Sequence, residues 1–437
     1  MKSSRFSAAI LGISVLGLTA STWAQSDYMP PMSGWPAAIQ TAWQVQGEYY
    51  GSQVADTTQH VGAWVITRGG TNYSLVILPG GLLTLPGQPY GGWNPVNTRY
   101  QGASGPATLT LNGTIFNVTT STGGFTSDSL TGTGENRTLY VHTSSARYIL
   151  KRVKLGERHS PTLGLRSSQV GSLVPTGSTL VPLFDSTTGA ADLTKWAASE
   201  NAVQLKYGQL YRGIKTNQKF GRYFLHAEFL SCFNPTATGQ GRANSGLYTQ
   251  GRYESQVLDS YGLSGAIDEY GGLYSIKAPS VNAELPPQIT YQTYDIYFTP
   301  RTGTGTSVVP GYFTVYANGV KVQDSTVATV TGTGAFLSLG TTDEAIYLQN
   351  HGNEVIFANI WAIVGSTVTT QSLPYSSVLA AGGTTAIQDY AIKPFSRTNS
   401  LKVLGFDGNY NMIGRQIKHN GNTLSIQPTV MVNPKNP

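Results

Sequence analysis

The sequence predicts an all-β fold: a two-sheet sandwich of jelly-roll type preceded by a small antiparallel β-domain. Three observations predict it. Short runs with period-two alternation recur between Ala63 and Trp361. Gly and Asn turn signals punctuate them, as at Gly80-Gly81, Asn112-Gly113 and Ala317-Asn318-Gly319. The front half carries no helical period over a useful length. Composition agrees: charged residues are 11% of the chain, far below the roughly 25% of ordinary globular proteins. Gly, Thr, Ser, Tyr and Asn fill the gap, which suits a secreted protein with many turns and a hydroxyl-rich surface.

Taken in order, residues 1–24 read as an export signal. Lys2 and Arg5 make a basic start, and Ala8 to Leu18 is an apolar run too short for the roughly 20 residues of a membrane span. Thr22-Trp23-Ala24 supplies a small-residue cleavage site, which leaves Gln25 as the mature N-terminus. A periplasmic, cell-surface or extracellular protein with no membrane segment after signal removal is the expectation. Residues 25–160 form the small β-domain, with strands at Ala63–Thr67, Tyr73–Leu78, Ala107–Leu111, Thr138–Thr143 and Arg147–Val153. Tyr90 and Trp93 suit sugar stacking there, although core or loop packing is the commoner use of such rings. Residues 161–180 carry Pro, Gly and Ser without a period, the mark of a linker.

The sandwich occupies residues 181–365. Its strands fall at Arg222–Leu230, Tyr291–Phe298, Phe313–Tyr316, Val320–Val322, Ala345–Leu348 and Glu354–Trp361. Along the first of these, Tyr223, Leu225, Ala227 and Phe229 make one wholly apolar face. Residues 366–437 form a C-terminal extension whose patterned part runs from Leu401 to Ile426, with turns at Gly408-Asn409 and Asn420-Gly421. The residues assign it no role.

Charge and cysteine content remove several function classes. The formal charge of +6 falls to +4 once Lys2 and Arg5 leave. The one basic cluster, Arg147 to Arg158, reads as a solvated strand edge, so no nucleic-acid partner is expected. Cys232 is the single cysteine, which excludes an internal disulfide, a cysteine zinc site and dithiol chemistry. Its neighbours Phe229, Leu230 and Phe233 suggest a small buried apolar role. No His-rich or EF-hand-like spacing is present, so no cofactor is predicted. A single calcium held by loop oxygens, as some sandwich domains have, is the one metal the residue pattern leaves open.

One stretch is too polar for a merely structural strand pair. Between Asn244 and Gly262, Glu254, Gln256 and Leu258 share one face of a strand, and Tyr253, Ser255 and Val257 share the other. A bulge after Gln256 would bring Asp259 beside Glu254 and Gln256. Bland readings stand beside this one. Glu254 pairing with Arg252 or Arg242 would fasten a strand, and Asp259-Ser260 would cap its end. His351 would be a turn residue, His226 a satisfied core histidine, and Tyr248, Tyr253 and Tyr261 either a sugar-stacking wall or aromatic core.

Ordered clusters across the second domain carry a resemblance. They are Leu183-Phe184-Asp185 with Trp196, Asn244 to Tyr248, Tyr253 to Ser260, Gly265-Ala266-Ile267, Ala278-Pro279, Gln292 to Ile296, Asn318-Gly319-Val320, Leu348 to Gly352, and Asn359-Ile360-Trp361. Together they resemble the 3-keto-disaccharide hydrolase family, a concanavalin A-like sandwich. The resemblance implies cleavage of the glycosidic bond of 3-keto-glycosides, with an oligosaccharide or 3-keto-glycoside as partner. The ketone acidifies the C2 hydrogen; a base removes it, the enolate expels the C1 group, and water addition completes a net hydrolysis. On this reading Glu254 is base or acid with Asp259 or His351 as its partner, while Asn244, Tyr248, Gln256, Gln349 and Tyr261 bind substrate. The chain departs from the family pattern at Ala358 (Arg expected), Tyr291 (Trp), Ser186 (Gly) and Asp268-Glu269 (Tyr-Gly). The other class the residues allow is a non-catalytic carbohydrate-binding or surface-interaction sandwich.

Overall fold

The structure, a computed structural model, describes residues 37–382 together with 401–406, 412–420 and 423–428. Within the first span it leaves out 68–72, 96–98, 100–106, 113–114, 119–120, 123, 133–135, 155–156, 186–188, 201–204, 207–208 and 288–290. The expected export signal, Ser186, and the turns at Gly408-Asn409 and Gly421 lie outside the described residues. The architecture is nearly all β, as the alternation predicts. One helix in the first unit, Ala37–Val45, departs from it.

The first unit is a nine-stranded antiparallel sheet. Its Thr138–His142 strand pairs with both Arg147–Arg152 and Phe125–Thr131, so eight strands close into a ring. Closure removes the open edges that alternation alone does not reveal. The strand His60–Thr67 is buried on both faces. Val61, Ala63 and Val65 join Trp43, Tyr49 and Leu75 in the barrel core, while Trp64 and Ile66 enter the core of the sandwich. Trp93 is buried against Trp64, so it is core and not a sugar platform. The basic cluster is also only partly solvated. Arg147 is exposed, but Arg152 and Arg158 are buried, Arg152 donating to the Gln46 carbonyl at 2.6 Å and Arg158 paired with Glu48.

The sandwich stacks an eight-stranded sheet on a five-stranded one. Residues Gln292–Thr299, Gly311–Ala317, Tyr223–Ser231 and Val355–Val364 dominate the larger sheet. The predicted hairpin is present: Asn318 (φ 48°) and Gly319 (φ 81°) both take the left-handed conformation that a type I′ turn needs. Tyr253 from the smaller sheet packs on Phe298 and Phe313 of the larger, with centroids 6.0 and 5.5 Å apart. This faces Tyr253 and Val257 inward and turns Glu254 and Gln256 outward.

The first half of the stretch expected as a linker, residues 161–170, is a strap packed on the outer face of the larger sheet, while residues 171–178 are half-buried to exposed. Thr162, Leu163, Leu165 and Val170 are buried. Thr162 Oγ1 donates to Asp295 Oδ2 at 2.8 Å, and the Gly164 amide donates to Glu228 Oε1 at 2.7 Å. The helix Tyr375–Gly382 closes the same layer through Tyr375 Oη, 2.7 Å from Asp295 Oδ2. At the centre His226 lies 2.6 Å from Asp295 and 3.0 Å from Glu228, fully buried and stacked on Trp361.

Burial opposes charging this imidazole, but Asp295 and then Glu228 outweigh it and push its pKa up to about 9. A histidine raised in the fold contributes stability that is complete below about pH 6.5 and is lost as pH climbs through about 9. Thermal melts of the wild type should therefore fall steeply between pH 7 and 9.5, and His226→Gln should lose that steepness. An unchanged pH profile in the variant would show that the imidazole is neutral.

Candidate functional site

The site is built on the hairpin Ser245–Thr249 and Tyr253–Val257, turned by Gln250 (φ 55°) and Gly251 (φ 60°). Register sets Tyr248 opposite Glu254 and Gly246 opposite Gln256, so all four occupy the outward face. Glu254 is 1% exposed. Burial pushes its carboxyl up to about 8, against a smaller lowering by the Tyr248 hydroxyl.

Tyr248 Oη lies 2.8 Å from Glu254 Oε2 and 2.6 Å from the Thr333 carbonyl oxygen. One hydroxyl hydrogen cannot serve both, and a carbonyl only accepts. At neutral pH the protonated carboxyl therefore donates to Tyr248, which donates to Thr333. Once Glu254 ionises, the Tyr248 proton turns to it. Gln349 Nε2 supports Tyr248 Oη from the side at 3.3 Å.

Gly246 is required for space. A Cβ there would lie 2.1 Å from Glu254 Oε1, and only the carboxyl end of Glu254 would need to move. Gly246→Ala should therefore fold with a near-normal melting temperature yet lose at least tenfold in kcat/KM, because a misplacement of about 1 Å costs on the order of 100-fold. Parallel melts and kinetics check it; unchanged kinetics would mean that the carboxyl's placement is unimportant.

A second group of side chains continues the wall. Asn244 Nδ2 donates to Gln240 Oε1 at 2.7 Å, and Gln256 Nε2 donates to the same oxygen at 3.0 Å. Gln240 Nε2 donates to the Asp268 carboxylate at 3.2 Å. Glu269 presents Asp268 by accepting the Gly265 and Ala266 amides at 2.8 and 2.9 Å, which pins the turn. Tyr274 feels the charges of both Asp268 and Glu254, which add to burial in raising its hydroxyl pKa. Residues 329–341 roof Glu254. The Gly332 amide donates to the Arg252 carbonyl at 2.8 Å, and Phe336, 45% exposed, meets Tyr248 and Tyr347 edge-on at 5.5 and 4.1 Å.

Of the residues expected to converge, Glu254, Tyr248, Gln256, Asn244 and Gln349 share this face. Three do not join them. The strand ends at Val257 without a bulge, and Asp259 turns away to pair with buried Arg242, 2.6 Å from Nη2. Tyr261 is buried at the barrel interface, its ring 6.0 Å from Trp64, so it cannot stack on a sugar. His351 is exposed in the loop beyond Gln349, and none of the hydrogen bonds among the described residues ties it to Glu254. Arg252 does not pair with Glu254 either. It donates to the Ser338 and Thr342 carbonyls, both at 2.9 Å, and holds the roof. Ala358 is buried in the apolar core.

Gln240, Asp268, Tyr274 and Thr333 are the site residues that the sequence did not reveal. They arrive on loops from outside the hairpin, and the departure at Asp268-Glu269 was the only signal among them. Among the described residues, no group of three or more His, Cys, Asp or Glu is placed to hold a metal.

Residues 179–363 match the model of the 3-keto-alpha-glucoside-1,2-lyase-like domain family. Two solved structures from Parabacteroides distasonis ATCC 8503, each provisionally designated a glycosyl hydrolase, are similar to the chain. The first is 30% identical, with 43% of this chain and 83% of that one covered and a TM-score of 0.38. The second is 18% identical, with 39% and 88% covered and a TM-score of 0.29. Comparison with curated proteins gave no match.

Proposed function

We propose, from a sandwich domain that belongs to the 3-keto-alpha-glucoside-1,2-lyase-like family over residues 179–363, that this protein cleaves the glycosidic bond of 3-keto-glycosides or 3-keto-disaccharides. Glu254 takes the C2 proton, and the C2–H electron pair passes into the enolate of the C3 ketone. The enolate then re-forms the carbonyl as the C1–O bond breaks. The leaving oxygen picks up a proton, and water adding at C1 completes the hydrolysis. The observation that carries the reading is the buried carboxyl of Glu254, raised to about 8 and free of any guanidinium in its hydrogen bonds among the described residues. Such a carboxylate is a stronger base than an exposed one and is partly ionised at neutral pH. Tyr248 stays protonated, since burial and Glu254 raise its pKa. Its one hydrogen, turned to Glu254 while that carboxylate is ionised, is released as Glu254 takes the C2 proton and then meets the developing negative charge.

The test is an assay on 3-keto-trehalose and a chromogenic 3-keto-glucoside, with and without chelator, followed for a glucal-type intermediate. With Glu254 as base, kcat/KM rises about tenfold per pH unit until about 8. A falling limb there would make it the acid instead, and no turnover at any pH would remove the reaction. Burial of Glu254 beneath Gly332 and Thr333 favours a second reading, a carbohydrate-binding sandwich without chemistry. Ligand affinity without turnover in the wild type would select it. Export is part of the proposal and rests on residues 1–24; a secreted product beginning at Gln25, read by N-terminal sequencing, tests it.

A further inference from the structure

The amides beside Glu254 have orientations that backbone carbonyls dictate. Asn244 Nδ2 donates to the Gln240 carbonyl at 3.0 Å, Gln256 Nε2 to the Asp268 carbonyl at 3.2 Å, and Gln240 Nε2 to the same Asp268 carbonyl at 2.9 Å. A carbonyl cannot donate, so turning any of these amides over would set oxygen against oxygen. Two oxygens of these three amides are left over, and Gln349 Oε1 beside Tyr248 is a further buried oxygen without a partner among the described residues. Asn244 Oδ1 and Gln256 Oε1, on side chains of residues only 2% and 1% exposed, have no hydrogen-bond partner among the described residues. The half-buried Asp268 carboxylate stands at the end of the same network. This corner accepts hydrogen bonds and offers few.

We propose that Asn244, Gln256, Gln240 and Asp268 form a subsite for the unoxidised sugar ring of the substrate, with Asp268 determining specificity. The proposal rests on the 3-keto-glycoside reading above. A ketone oxygen only accepts, so this corner repels the oxidised end and directs it towards the donor Tyr248. An intact ring presents neighbouring hydroxyls, each donating to one orphan amide oxygen or to Asp268. The substrate is thereby oriented end to end. Its C2–H faces Glu254, and the ring that departs lies over Asp268.

The experiment compares 3-keto-trehalose, whose leaving group is a sugar, with 4-nitrophenyl 3-keto-α-glucoside, whose leaving group has no ring hydroxyls. In Asp268→Asn and Asn244→Leu, the ratio of kcat/KM for the first substrate over the second should fall at least tenfold, mainly through KM for 3-keto-trehalose. Thermal melts verify folding, and Asp268→Glu should recover part of the ratio. Equal losses on both substrates, or no loss on either, would overturn the subsite. If the wild type turns over neither substrate, the reaction reading fails, and titration calorimetry with unmodified trehalose then decides the subsite separately. Binding that Asp268→Asn abolishes supports it; no binding to the wild type, or binding that Asp268→Asn leaves intact, overturns it.

Discussion

Glu254→Gln should abolish turnover and at the same time make the protein more stable. The carboxyl is neutral in the fold up to about pH 8, whereas in the unfolded chain it ionises near 4.5. Between those values the unfolded state releases a proton that the folded state keeps, so wild-type stability declines with rising pH. The accumulated cost above pH 8 is on the order of 5 kcal/mol. Gln has nearly the same shape, can still hydrogen-bond Tyr248, and never titrates. Its advantage should be absent near pH 4.5, grow through neutrality and level off above pH 8. Denaturant unfolding across that range measures it. Turnover should fall by about 100- to 10,000-fold, the usual worth of a positioned base. A variant with wild-type stability at every pH would mean that the carboxyl is ionised in the fold, which would remove the case for a poised base.

Asp259→Ala should have the opposite signature. Arg242 holds Asp259 through Nε at 3.1 Å and Nη2 at 2.6 Å, and donates through Nη1 to the Thr67 carbonyl of the barrel at 2.6 Å. Removing the carboxylate strands a buried guanidinium, a change that typically costs about 3–5 kcal/mol. Nearby Glu284, whose carboxyl is pushed well up by burial and then by Asp259, would lose the second of those two causes. The variant should therefore lose much of its stability at pH 7 while its folded fraction keeps its kcat. A stable variant with no turnover would instead make Asp259 part of the chemistry.

These two residues show what the sequence could and could not convey. Alternation placed Glu254, Gln256 and Tyr253 on the correct faces because strand period is local. It located the central strands of the larger sandwich sheet and the Asn318-Gly319 turn for the same reason. It passed over Gly47–Gln53, Ile115–Val118 and Phe125–Thr131 of the first unit and short strands such as Ile214–Thr216 of the second. The fate of Asp259 hung on whether a bulge followed Gln256, and that was settled by Arg242, seventeen positions away in sequence. Tyr261 looked like a sugar-facing ring because nothing local announces that Trp64 will lie against it. Asp268 and Gln240 reach the site through loop paths, which carry no period to read. The strap misled for a related reason: Pro, Gly and Ser mark an irregular backbone, but an irregular backbone can still be buried when side chains such as Glu228 and Asn359 satisfy it.

The doubly buried His60–Thr67 strand has a consequence for any attempt to work with the lyase-like portion by itself. Cutting at residue 179 would tear Trp64 and Ile66 out of the sandwich interior and leave Tyr261 facing water. The minimal heritable piece is thus the pair. A gene fusion or transplant that carries only the family-matching segment should yield a sticky, poorly soluble product, while one that begins ahead of the barrel retains its lining.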